Sequence, residues 1–149
     1  MLVFATSCSG PTPISAADAA AHYRAAGDSV ADALSTDGLT FTHRDSRNPV
    51  QEDSGHCIYT AGFWDGSNSL ASMRDESAWD SITRAAQGPA TAAGFGAFSR
   101  PKRAGATTRI TATDEHGARL VIGSQGRISI LDARIDAPTC TADAVSGKS

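Results

Sequence analysis

The chain has 149 residues, 40% of them apolar, 19% charged and 6% aromatic, which is enough for one domain with a core and too few for two of ordinary size. Thirteen Lys and Arg against 16 Asp and Glu give a net charge of −3, so no basic field able to hold a phosphate backbone is expected and nucleic-acid binding is a poor first reading. Twenty-seven alanines and 14 glycines leave few large side chains, so the core must be small and in need of a covalent aid.

The chain opens Met1-Leu2-Val3-Phe4-Ala5-Thr6-Ser7-Cys8, a short apolar run ending in small residues and a cysteine. A secretory signal has a cationic start, an apolar stretch and a small-residue cleavage site, and here the last two are visible in shortened form. Ala5-Thr6-Ser7-Cys8 resembles a bacterial lipobox, in which the cysteine is acylated and becomes the new N-terminus. Ala5 stands where Leu or Val is usual. Residues 1–14 are therefore expected to be a truncated signal, a lipobox and a tether; a frayed terminus with Cys8 as an ordinary exposed thiol is the other reading. No run of 18 apolar residues exists to span a membrane. If Cys8 takes a lipid, Cys57 and Cys140 remain as a pair. In an oxidising compartment they would close a loop of roughly eighty residues and constrain the unfolded chain by about 4–5 kcal/mol. Two unrelated thiols in a reducing compartment are the alternative.

Residues 15–140 read as a single domain. Ser15 at the start and Asp18 in the first turn predict a helix over about 16–35, with the Ser15 hydroxyl as cap. Tyr23, Gly27, Val30 and Leu34 form its apolar stripe, and Asp37-Gly38 its stop. Alternation over 39–44 and again over 57–64 predicts two strands paired as a hairpin, with residues 45–55 as a polar connection. Asp75-Glu76-Ser77 opens a second helix bearing Trp79, Ile82, Ala85 and Ala86. It ends at Gly88-Pro89 or continues with a kink through Ala93 to Gly94. Residues 99–105 read as a basic loop, followed by strands over 107–113, 118–123 and 127–135 in an antiparallel meander whose core is Ile110, Leu120, Ile122, Ile128 and Ile130. Residues 141–149 are small and polar and are expected to be a loose tail. The order α-β-β-α-β-β-β predicts an α+β fold with two helices on one face of an antiparallel sheet of about five strands.

Cys8 in its lipobox-like site, Trp79 in the second helix, Gly94-Phe95 at its end, Asp114-x-x-Gly117-x-x-Leu120 and Pro138-Thr139-Cys140 together resemble the small secreted lipoproteins of Gram-positive actinobacteria. That resemblance implies a membrane-anchored extracytoplasmic protein of unknown function, and it carries no catalytic residues.

The residues offer little chemistry. His43, Asp45 and His56, with Arg44, Glu52 and Asp53 nearby, are the one grouping of imidazoles and carboxylates that could hold a metal ion or provide a base. Polar residues of a solvated loop are the plainer reading. His22 and His116 read as surface residues, and Trp64 and Trp79 as core. Neither a G-x-S-x-G elbow nor a phosphate-binding glycine loop is present. Arg100, Lys102 and Arg103 could touch anionic lipid heads or wall polymers, or simply face water. The expectation is a non-catalytic module without cofactor, outside the cell, anchored to the membrane through Cys8 and meeting an envelope protein or ligand there. A small enzyme or metal binder using His43, Asp45 and His56 is the alternative.

Overall fold

The computed structural model describes residues 10–70 and 75–146. Cys8 and the lipobox-like run lie outside the described residues. Within them the chain is α+β, with ten strands and three helices: β1 (Ile14–Ser15), α1 (Ala16–Leu34), β2 (Phe41–Arg44), β3 (Val50–Asp53), β4 (His56–Tyr59), β5 (Gly62–Gly66), α2 (Glu76–Ala92), β6 (Lys102–Ala104), β7 (Thr107–Thr113), β8 (Arg119–Gly123), β9 (Arg127–Leu131), β10 (Ala133–Asp136) and α3 (Asp143–Ser146). The strands form two sheets where one was expected, β1-β10-β4-β3 and β2-β5-β9-β8-β7-β6, antiparallel except for β1 beside β10.

The two sheets derive from shared long strands. Gly62 lies opposite Ile130 in the larger sheet and Tyr59 opposite Ala133 in the smaller, so the register runs unbroken from one to the other. Between them the strands bend. Cys57, Tyr59 and Ala61 point inward, then Trp64; Ile128 and Ile130 point inward, then Ala133 and Ile135. Strand residues alternate faces, so this change of parity needs a break in extended geometry. Gly62 at φ 115° and Asp132 at φ 64° supply it. The predicted strands over 57–64 and 127–135 are thus each two strands, and the concave side of the bend receives α1.

Helix α1 packs against α2, α3 and strands of both sheets, burying Tyr23, Ala26, Gly27, Val30 and Leu34. Ser15 occupies its N-cap position, but its side chain makes no capping hydrogen bond, contrary to expectation; its backbone pairs with Asp136 of β10. Helix α2 is capped by Asp75, whose carboxylate accepts from the Ala78 N–H at 2.9 Å; that bond, with one from Ser77, holds its pKa below the usual range. The helix passes through Pro89 and ends at Gly94, where φ is 94°. Phe95 N–H bonds to Ala90 O and Gly94 N–H to Thr91 O, the Schellman arrangement, with Phe95 buried. All five predicted meander residues, from Ile110 to Ile130, are fully buried.

Four further expectations are corrected. The polar connection over 45–55 contains β3, joined to β4 by Ser54-Gly55, both with positive φ, a two-residue hairpin turn. The basic loop contains β6, an edge strand paired with β7. The tether is docked from residue 10 onward: Thr12 N–H donates to Glu115 O at 2.9 Å, and Arg134 Nη1 to Pro11 O at 3.3 Å. In the loose tail, residues 143–146 form one helical turn against α1, with Ala144 and Val145 packed on the core. Cys140 explains the last of these, since it is disulfide-bonded to Cys57 with a Cα separation of 5.1 Å. The bridge fixes the chain just before α3 to the start of β4. No helix among the described residues is long and apolar enough to cross a membrane.

Candidate functional site

The histidine and carboxylate grouping does not converge. His43, on β2, is opposite Trp64 on β5, with the two rings 4.7 Å apart and the imidazole 9% exposed. Its Nε2 lies 3.3 Å from Ala61 O and its Nδ1 3.7 Å from Asp45 Oδ1, while the Asp45 carboxylate is itself 90% exposed. His56 is exposed at the hairpin end of β4, opposite Asp53, in the other sheet. Among the described residues, no group of three His, Cys, Asp or Glu is placed to hold a metal ion. His43 is packed and hydrogen-bonded in the manner of a core residue. The neighbouring hollow of about 380 Å³ is lined by Asp45, Ser46, Tyr59, Thr60 and Val145, and burial, then the Asp45 charge, pushes the Tyr59 hydroxyl pKa up.

His22 and His116 come together with Asp114 and Glu115 around a hollow of about 250 Å³. These groups are largely committed. Asp114 Oδ2 accepts from Tyr23 Oη at 2.7 Å, and its Oδ1 accepts from the amides of His116 and Ala118. His116 Nδ1 lies 2.6 Å from Thr12 O, so this turn residue, partly exposed, is hydrogen-bonded to the docked tether. Burial and the Asp114 carboxylate push the Tyr23 hydroxyl far above its usual pKa.

The basic segment gives the most open arrangement. Segment 96–104 runs along the edge of β7: Gly96 N–H bonds to Thr113 O, Ser99 N–H to Thr111 O, and Lys102 is paired directly with Arg109. Ser99 and Lys102 stand at the S-x-x-K spacing of some serine nucleophiles. Here Ser99 Oγ accepts from Thr111 N–H at 3.1 Å and donates to Arg100 O at 3.1 Å, so it is used in holding the edge. On one side of the segment, Arg84 and Arg100 line a groove of about 470 Å³ with Asp80, Gln87 and Phe98. On the other, Lys102, Arg103 and Arg109 line one of about 440 Å³ with Ser99 and Thr111. All five cations are exposed, and among the described residues none has an ion-pair partner. By contrast Arg24, Arg44, Arg119 and Arg127 are each paired with an aspartate. Arg84 and Arg109 are remote from the 100–103 run in sequence because they belong to α2 and β7, and only the pairing of β6 with β7 and the packing of α2 bring them to the same edge.

Phe63 is half-buried on the outer face of the larger sheet, between the guanidinium groups of Arg44 at 5.4 Å and Arg127 at 5.1 Å, which share Asp65. Trp64 and Trp79 are buried, as expected. No family model, curated protein or solved structure matches the chain.

Proposed function

We propose that the chain is a non-catalytic binding module of the cell envelope, exported and held to the outer face of the membrane by a lipid on Cys8, like the small actinobacterial lipoproteins it resembles. The observation that carries this reading is the Cys57–Cys140 bridge. Disulfides persist in oxidising compartments and are rare where thiols are kept reduced. The bridge accounts for two of three cysteines and leaves Cys8, in its lipobox-like setting, as the one available for acylation. The absence of convergence among His43, Asp45 and His56 favours binding over catalysis, and the unpaired cations around β6 provide a surface for it.

Intact mass of the protein expressed from its native upstream region in a Gram-positive host tests the anchor. The expected species begins at Cys8 and carries acyl mass. A chain with unmodified Cys8 found only in the soluble fraction contradicts the reading.

A further inference from the structure

The charge of this molecule is segregated. Arg84, Arg100, Lys102, Arg103 and Arg109 gather around strand β6, a local basic field that the net charge of −3 conceals, with Asp80 the single acid lining either flanking groove, while the rest of the chain holds eight Lys and Arg against 15 Asp and Glu. Lys102 and Arg109 are direct cross-strand partners, and like charges in that relation destabilise a sheet. No acid among the described residues offsets the pair. We infer that the β6 edge is a ligand-binding surface and that its ligand is a linear polyanion with repeated phosphate groups.

The spread of the cations selects a polymer over a single anion. The cations are exposed and lie on both sides of the 98–104 segment, so no enclosed point exists where their donors converge. Such a spread suits several weak phosphate contacts made together, each neutralised group adding to affinity and to its salt dependence. Four of the five are arginines, whose planar fork matches phosphate oxygens.

The position of the tether argues against the bilayer as the source of the phosphates, a step that rests on the proposed anchor at Cys8. Residues 10–13 dock at the β7–β8 turn, against Glu115, His116 and Gly117. The turn joining β6 to β7, at Gly105, is at the other end of β7. Arg109 is four residues along β7 from Thr113, roughly 13 Å of extended chain, which exceeds a Debye length at physiological salt. An anchor at Cys8, two residues before the docked segment, would hold the β7–β8 turn nearest the membrane and leave the β6–β7 end of the strand, with Lys102 and Arg109, farther from it.

The experiment titrates the purified, disulfide-bonded protein against end-labelled inorganic polyphosphate and against phosphatidylglycerol vesicles at several salt concentrations. Polyphosphate should bind, weaken as salt rises, and bind tighter than the vesicles per phosphate. The double variant Lys102→Ala/Arg109→Ala should bind about tenfold more weakly at low salt, with a shallower salt slope, while melting at or above the wild-type temperature because the like-charge pair is gone. Arg47→Ala, which removes an exposed cation elsewhere, should bind within about twofold of wild type, a bound set by the single charge lost. Absence of binding, or a double variant that binds like wild type, overturns the inference. Tighter binding to vesicles assigns the edge to the bilayer and overturns it as well. Acylation of Cys8 is measured independently of all these, so failure of the anchor and failure of the ligand assignment are distinguishable.

Discussion

Gly27 lies in the buried stripe of α1, and the Trp64 indole fills the space its side chain would occupy. The ring cannot retreat: it is 1% exposed, and its Nε1 donates to Asp28 Oδ1 at 2.8 Å, one residue further along the same helix. Alanine at a helix interior ordinarily gains about 1 kcal/mol over glycine. Overlap with a packed ring costs about 3 kcal/mol, at the upper end for overpacking. The clash wins, and Gly27→Ala should lower the melting temperature by about 6 °C, at 2–4 °C per kcal/mol for a chain of this size. A scanning calorimeter reads this directly, and a variant melting at or above wild type contradicts the packing. The period of the sequence placed Gly27 on the buried face and the composition placed Trp64 in the core. That the two meet was not legible, since periodicity identifies a face but not what it meets. The same limit explains His43 and His56, near in sequence yet assigned to different sheets by the β3–β4 hairpin.

Helix α1 is tied to the β7–β8 turn by the Tyr23 hydroxyl on Asp114, whose other oxygen caps two amides of that turn. The Tyr23 pKa is raised first by burial and then by this bond, and that of Tyr59 is raised in the same direction. A raised folded pKa means that the native protein keeps a proton the unfolded chain releases. The resulting stability is fully present below about pH 10, where unfolded tyrosine titrates, and is lost as pH rises beyond it. Denaturant midpoints should therefore be flat from pH 8 to about 9.5 and fall above about pH 10. Tyr23→Phe should lower the neutral-pH stability by about 1.5–3 kcal/mol, the value of a hydrogen bond to a charged group, and should flatten the alkaline fall. An equally steep fall in the variant would remove Tyr23 from the account. At this scale much was legible: α1, α2 with its Gly94 stop, and the strand over 107–113 follow from caps, period and alternation. Strand β3 was not, because Val50-Gln51-Glu52-Asp53 is a solvated edge with one apolar residue, although Ser54-Gly55 was a usable turn signal. Strand β6 was hidden likewise by its charges, which is how edge strands avoid pairing with other chains.

The whole molecule is a set of long strands bent into two sheets around α1, with the disulfide joining the central strand β4 to the chain beyond β10. The α+β class could be read from the order of elements. The division into two sheets could not, since it depends on Asp132 adopting a left-handed backbone that nothing in Leu131-Asp132-Ala133 announces, and on Gly62, opposite Ile130 two residues before it, also having a positive φ. Docking of residues 10–15 and 143–146 was also hidden: the first depends on backbone bonds to Glu115 and pairing with β10, the second on the pinning of Cys140. Compartment and function turn on that bridge more than on any other feature. The most direct measurement is therefore the thiol state of the protein in its native host, quenched by alkylation in intact cells before lysis and mapped by mass spectrometry. The account predicts that Cys57 and Cys140 are protected until reduction and are recovered as one linked peptide pair. Both residues alkylated without reduction would contradict it, and with it the envelope reading that rests on the bridge.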